Sequence, residues 1–302
     1  MTPASGRAGL SDPPTLRLLS LGAGVQSTTL ALLAVEGALP APDLAIFADT
    51  MSEPRKVYAH LDRLVAVLTD VGIEVVRVSQ GDLGADTLST AGFMRLPAFV
   101  QGAGNGAAML RRQCTERYKL EPIRREIRRR LGARTSATGA VLTPPPGAVA
   151  EQWIGFSTDE IGRVKDQRVP YIRNRYPLLE LNMSRQNCLA WLRRRGWGDT
   201  PKSACTFCPF HGNRQWREMR DHDPAAWADA VEFDRRIRQR TFRGPQEVPF
   251  LHRSLLPLDQ APIDQVQRKE LRDQQGDLFD LVEHGDPDGC SPYGCRSGGE
   301  AA

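Results

Sequence analysis

Along the first 80 residues, short apolar runs alternate with longer stretches whose apolar positions recur at helical spacing. Leu16 to Leu21 (LRLLSL) is a run of the length and composition of a buried strand. It ends in Gly22-Ala23-Gly24. Ser27 to Gly37 (STTLALLAVEG) follows, with a serine start and a glycine stop that predict a helix. Leu44 to Ala48 (LAIFA) reads as a second buried strand, ending at Asp49. Pro54 opens a helix in which Val57, Leu61, Leu64, Val65 and Leu68 form one apolar face. Ile73 to Val78 is a third strand. Strand and helix in strict alternation predict an α/β fold, an open parallel sheet with helices on both faces.

The pattern changes further on. Residues 81–110 are rich in Gly and Ala without strong periodicity and read as a mobile loop with some helix. Residues 115–131 read as a basic helix carrying Arg124, Arg125, Arg128, Arg129 and Arg130. Residues 133–150, with Pro144-Pro145-Pro146, read as a surface insertion. Trp153 to Phe156 is a fourth short strand. Ser184 caps a helix that runs to Gly196, and Asp223-Pro224 opens another that reaches about Arg240. Pro262 is read as the start of a last helix. The expected organisation is a disordered leader over 1–14, a main domain over 15–212, a smaller helical C-terminal region over 213–284 and a flexible tail over 285–302.

Composition bounds the class. With 302 residues, 40% of them apolar and 25% charged, a packed core is within reach and wholesale disorder is excluded. No apolar run reaches the roughly 18 residues of a membrane helix, and the N-terminus lacks a basic segment followed by an apolar one. The chain is therefore expected to be cytoplasmic, with no membrane partner. Net charge is only +4, but five of the 40 basic residues are lysines and the rest arginines. Arginine forks suit phosphate and carboxylate, and a biased base composition produces the same excess.

The candidate chemistry lies in two sets of residues. The segment SLGAGVQST joins a strand to a helix through Gly22, Ala23 and Gly24, so backbone can approach a ligand and the helix start offers N–H groups to an anion. Ser27 and Thr28 add hydroxyls. It is neither a Walker loop nor GxGxxG, and a tight turn that binds nothing fits the same spacing. Asp49 ends the second strand, at the sheet edge where open parallel sheets bind ligands. It is suited to a ribose, a metal ion or an amine. Gly155 to Arg163 (GFSTDEIGR) gathers Asp159, Glu160 and Arg163 in one loop, suited to nucleotide and magnesium or simply to internal ion pairing.

The second set is the six cysteines. Cys205-Thr-Phe-Cys208, followed by Pro209 and His211, has the spacing of two thiolates on one metal. Cys114 is surrounded by Arg111, Arg112, Arg117 and Lys119, which favour its thiolate. Cys188 lies inside a helix beside Leu189 and Leu192 and is assigned to the core. Cys290 and Cys295, in the tail, are candidates for a catalytic nucleophile, for further ligands or for neither.

Taken in order, these segments resemble the PP-loop superfamily of ATP pyrophosphatases (HUP-type folds), in its branch of phosphoadenosine-phosphosulfate (PAPS) and adenosine-phosphosulfate reductases, and most nearly the compact PAPS reductase-like group. Gly22 to Ser27 (GAGVQS) looks like SGGxDS; IFADT at 46–50 is similar to the family strand ending in Asp-Thr; CTERYKLEPIRR at 114–125 matches the segment where cysteine precedes Arg-Lys and Pro-Leu. GFSTDEIGR is similar to GxRxxExxxR, and residues 176–208 match the PL-containing helix and closing Cys-x-x-Cys. The departures are Gln26 where the loop has Asp, Gly22 and Ala23 where it has Ser and Gly, Ser157 where the reductases carry arginine, and Gln113 where adenosine-phosphosulfate reductases carry the first of two cysteines.

The resemblance implies a nucleotide-binding domain that takes ATP or another adenine nucleotide with Mg at Gly22, Ala23, Gly24, Ser27, Thr28, Asp49, Gly155, Asp159, Glu160 and Arg163. It implies a 4Fe–4S cluster on Cys114, Cys205 and Cys208, with His211, Cys290 or Cys295 as fourth ligand. A zinc ion on Cys114, Cys205, Cys208 and His211 is the rival site. The implied activity is sulfur transfer of the thiolation type. The alternatives are reduction of an activated sulfate with Cys290 or Cys295 as nucleophile, and a zinc-stabilised nucleic-acid-binding protein. Arg124 to Arg130 and Arg193 to Arg195 would then hold an RNA or DNA backbone.

Overall fold

The computed structural model describes residues 14–89, 95–102, 106–164, 169–240 and 248–266. The leader through residue 13, residues 267–284 and the tail with Cys290 and Cys295 lie outside them. The chain forms two compact units, one from segments within 1–48, 60–78 and 121–201, the other from segments within 49–59, 79–120 and 202–302.

The first unit is an α/β sandwich around a sheet. In chain order its strands and helices begin β1 (Leu16–Leu21), α1 (Val25–Val35), β2 (Leu44–Asp49), α2 (Arg55–Asp70) and β3 (Glu74–Ser79). The second unit contributes α3 (Leu83–Ser89), β4 (Phe99–Gln101) and β5 (Ala107–Met109) before α4 (Glu121–Arg130), β6 (Ala150–Trp153), β7 (Ile172–Arg175), α5 (Pro177–Glu180) and α6 (Arg185–Arg193). The last two helices are α7 (Asn213–His222) and α8 (Pro224–Arg238). Five strands form the main sheet in the order β3-β2-β1-β6-β7. β1 pairs parallel to β2, with Leu18 opposite Leu44, and parallel to β6, with Leu18 opposite Gln152. β6 pairs parallel to β7.

β1 is the middle strand, buried on both faces, which is why it reads as a continuous apolar run. Leu18 joins Leu44, Ile46 and Ala150 in a cluster closed by Ile123 and Ile127 of α4. Leu19 and Leu21, of opposite parity, are buried as well, and α1 packs along β1. Each fully buried aliphatic side chain of this kind contributes roughly 1.5–3 kcal/mol. The predicted α/β class and parallel sheet hold. Gly37, at φ +74°, follows the end of α1 as predicted, because glycine alone enters that region without steric cost.

The differences follow from tertiary context. Residues 81–110 hold the expected helix, α3, and an antiparallel β4–β5 hairpin that was not expected, since pairing with a partner strand makes up for weak periodicity. β7 went unread because Ile172-Arg-Asn-Arg175 carries one apolar residue, too short a signal for periodicity. The strand expected at Trp153 to Phe156 is β6, three residues earlier. Residues 263 and 264 form a turn and no helix begins at Pro262 within the described residues.

The second unit has its own apolar cluster, built on Trp216 and Met219 of α7, Ala230, Phe233 and Ile237 of α8, and Leu83, Tyr118 and Leu251. Asp223 caps α8 by accepting from Ala226 N at 3.1 Å, with Pro224 in its first turn, as the sequence predicted.

Candidate nucleotide loop and cysteine site

The β1–α1 turn places Gly22, Ala23 and Gly24 at the carboxyl end of the middle strand, where the strand order turns back between β2 and β6. Ligands of open α/β sheets bind at such reversals. Ala23 is held at φ +54°, a left-handed conformation that costs a non-glycine residue roughly 1–2 kcal/mol. Ser27 organises the turn. Its Oγ accepts from Gly22 N at 3.1 Å and Gly24 N at 3.3 Å, and donates to Gly24 O at 3.2 Å. Val25, Gln26 and Ser27 are the first three residues of α1, so their N–H groups have no acceptor within the helix. Thr28 points elsewhere: it is fully buried and its Oγ1 lies 2.9 Å from His60 Nε2. Burial holds the His60 imidazole down to about 4.

The loop after β6 closes on this turn. A Cβ at Gly155 would stand 3.1 Å from Ser27 N and 3.2 Å from Gln26, so only glycine fits there without movement. The acidic residues of that loop are engaged within the unit. Asp159 accepts from Ser157 Oγ at 3.2 Å and from the Arg185 amide. Glu160, buried, ion-pairs with Arg163 and accepts from Gln26 Nε2 at 3.0 Å. Gln26 Oε1 accepts from Arg185 at 2.9 Å. Arg185, behind the capping serine of α6, carries no local pattern in the sequence that marks it for this contact.

In the second unit, Asp49 Oδ1 accepts from Met51 N at 2.7 Å and from Tyr58 OH at 2.8 Å. This contact and burial raise the Tyr58 phenol well above its ordinary value, burial being the larger cause. Met51 is itself at φ +56° and exposed.

Cys205 and Cys208 are buried in the apolar cluster of this unit, and the half-buried Cys114 packs against the same cluster. The CxxC turn closes through Cys208 N to Cys205 O at 3.0 Å and is fastened by Thr206 N to Ser52 O at 2.8 Å. Phe207 anchors it, stacked on Phe233 at 3.8 Å between centroids and in close contact with Gly84. Thr50 Oγ1 lies 3.3 Å from Cys205 Sγ. His211 Nε2 lies 3.0 Å from Cys205 O and Nδ1 3.3 Å from Gln215 Oε1, two acceptors of which the neutral ring can serve one, and the ring meets Trp216 edge-on. Burial pushes its imidazole down to about 4. Among the described residues no three of His, Cys, Asp and Glu already stand as a metal-holding group. Lys119 and Glu53 form a buried ion pair at 3.5 Å, and Glu53 Oε2 has no hydrogen-bond partner among the described residues. Neither was singled out from the sequence for this, because a pairing across 66 positions leaves no local pattern.

Cys188 is fully buried as predicted, and burial pushes its thiol up to about 11. The arginine runs divide. In α4, Arg129 and Arg130 pair with Glu126, and Arg130 pairs also with Glu74. Arg195 pairs with Glu36. Arg193 and Arg194 are exposed. No described helix is long and apolar enough to cross a membrane.

These features define an α/β protein with an open parallel sheet and a strand-to-helix turn at its point of reversal. No known protein family's sequence profile matches the chain, and no curated protein sequence does. Among solved structures it is similar to the U34-tRNA thiolase NcsA from Methanococcus maripaludis with its 4Fe–4S cluster, at 13% identity over 78% of each chain and a TM-score of 0.35. At that distance the likeness carries no functional weight.

Proposed function

We propose that the chain is a PP-loop-type enzyme that binds an adenine nucleotide at Gly22 to Ser27 and carries out sulfur transfer with an iron–sulfur cluster on Cys114, Cys205 and Cys208. The observation that carries the reading is the β1–α1 turn itself, at the reversal of strand order, with the Val25, Gln26 and Ser27 amides directed out of the helix start and Gly155 packed against them. Backbone donors fixed in this way stabilise charge that develops on a phosphate oxygen without reorganising. Ser27 Oγ, which now holds Gly22 N and Gly24 N, would exchange these contacts for the phosphate. Asp49, with one oxygen fixed by Met51 and Tyr58, is a separate candidate whose other oxygen suits a ribose hydroxyl or Mg.

The three cysteines suit an iron–sulfur cluster by donor type and share one apolar cluster, but they do not already stand as a ligand set, so binding would have to draw them together. A neutral His211 imidazole has a single N–H and cannot donate to both Cys205 O and Gln215 Oε1, so one ring nitrogen keeps its lone pair; the preference for the cluster over the zinc site rests on the family resemblance. When bound, such a cluster supplies an iron with an open position. The protein's own part is to exclude water from the thiolates and to fix the CxxC turn through Phe207 and Thr206. Arg193 and Arg194 would hold the phosphates of a nucleic-acid substrate.

Anaerobic purification followed by iron and sulfide analysis and ATP titration tests the reading. Brown protein with stoichiometric iron and sulfide, absorbing broadly near ~400 nm, is the expected result. Colourless protein with stoichiometric zinc overturns the cluster, and ATP affinity unchanged in both Ser27→Ala and Asp49→Ala overturns the nucleotide site.

A further inference from the structure

We propose that the indole N–H of Trp216 donates a hydrogen bond to a sulfur of the iron–sulfur site, a cysteine thiolate or a cluster sulfide, and thereby raises the site's reduction potential. The inference rests on the cluster reading above and deepens it by naming a residue outside the cysteine motif that governs the cluster.

Trp216 is fully buried, and its Nε1 has no hydrogen-bond partner among the described residues. A tryptophan nitrogen is a donor only, and a buried one ordinarily finds an acceptor. Left unmet, it carries the full desolvation penalty of the group. The ring is held by two others, His211 edge-on at 4.7 Å between centroids and Trp227 of α8 at 6.3 Å, so turning the N–H out to water would break this packing.

The surroundings identify the acceptor. Trp216 shares one apolar cluster with Cys205 and Cys208, and Cys114 packs against the same cluster. The chain also ties them together: Cys208 N bonds to Cys205 O, His211 N bonds to Cys208 O, each at 3.0 Å, and α7 with Trp216 begins at Asn213. The cluster's tyrosine, Tyr118, already has its hydroxyl on Asp86 at 2.6 Å. The cysteines are the side chains there that lose a proton on taking a metal, and so turn into anionic acceptors. A donor to sulfur favours the reduced, more negative form of a cluster over the oxidised one, and apolar surroundings strengthen the effect. Trp216 thereby holds the potential up.

The test is a redox titration of the full-length, anaerobically prepared protein, with dithionite as the electron donor. Trp216→Phe removes the N–H and keeps an aromatic ring. It is expected to hold as much iron and sulfide as wild type and to show a more negative midpoint potential. Trp227→Phe, the same change in the neighbouring indole, should leave the potential where it is. If Trp216→Phe fails to fold, wild-type protein labelled with 15N at the indole nitrogens serves instead: after reduction, pulsed EPR should show a 15N coupling to the cluster. Equal potentials in wild type and Trp216→Phe, or no 15N coupling, overturn the assignment and leave the cluster standing. An equal shift in Trp227→Phe also overturns it, since packing and not the N–H would then be the cause. A wild-type protein that takes up no iron and sulfide overturns both.

Discussion

Thr50 Oγ1 lies 3.3 Å from Cys205 Sγ, joining the residue just after β2 to a cysteine 155 positions away. With Thr206 N bonded to Ser52 O, it makes the β2 exit and the CxxC turn one local structure. Thr50→Val keeps the shape and removes the hydroxyl. A net loss of about 1 kcal/mol is expected in the denaturant midpoint, and Thr50→Ser should restore most of it.

Serine replacements separate the cysteines by role. Cys114→Ser, Cys205→Ser and Cys208→Ser are each expected to lower iron content in anaerobic protein. Cys188→Ala should retain full iron while losing about 1 kcal/mol of stability, because its side chain is fully buried. Iron lost in Cys188→Ala, or kept in all three serine variants, would reverse the division.

Gly155 is tested by one methyl group. A Cβ there meets Ser27 N at 3.1 Å, and backbone yields poorly. Gly155→Ala should cost about 1–3 kcal/mol in thermal unfolding and weaken ATP binding in parallel. Gly132→Ala, where a Cβ meets nothing but φ is +81°, should lose stability and leave ATP affinity unchanged.

Asp234 is the polar keystone of the second unit. It is fully buried and accepts from Leu251 N at 2.9 Å, Leu258 N at 3.1 Å and Arg238 Nε at 2.9 Å. Asp234→Ala leaves these donors without their acceptor and should destabilise by roughly 3–5 kcal/mol, read as a lower melting temperature.

Acid should unfold the protein through its buried histidines. His60 and His252 are each lowered from 6.5 to about 4 by burial, so between these values the unfolded chain binds protons that the folded chain refuses. Stability therefore falls as pH drops from about 6.5 towards 4, by at most ~1.4 kcal/mol per pH unit for each histidine. Unfolding midpoints measured at pH 7, 6 and 5 should decline, and His60→Gln should flatten the curve.

Much of the scaffold was legible because it is local. β1 and β2 are continuous apolar runs, α1 ends at its glycine, α2 carries its own helical periodicity, Ser184 and Asp223 are caps readable from one residue and its neighbours, and Cys188 sits among leucines. The β4–β5 hairpin and β7 were not legible, because short strands take their stability from partners rather than from their own composition.

The sequence by itself determined the α/β class, the glycine turn after β1 and the burial of Cys188, since each depends on residues within a few positions of one another. Only the tertiary structure decided that Thr28 faces His60, that His211 lies between Cys205 O and Gln215, and that Arg129 and Arg130 of α4 answer to Glu126 and Glu74. It alone brought Arg185 to Gln26 across 159 positions. A side chain's partner is set by which strands lie side by side and which helices pack on them, and a linear pattern of apolar and polar residues does not carry that information.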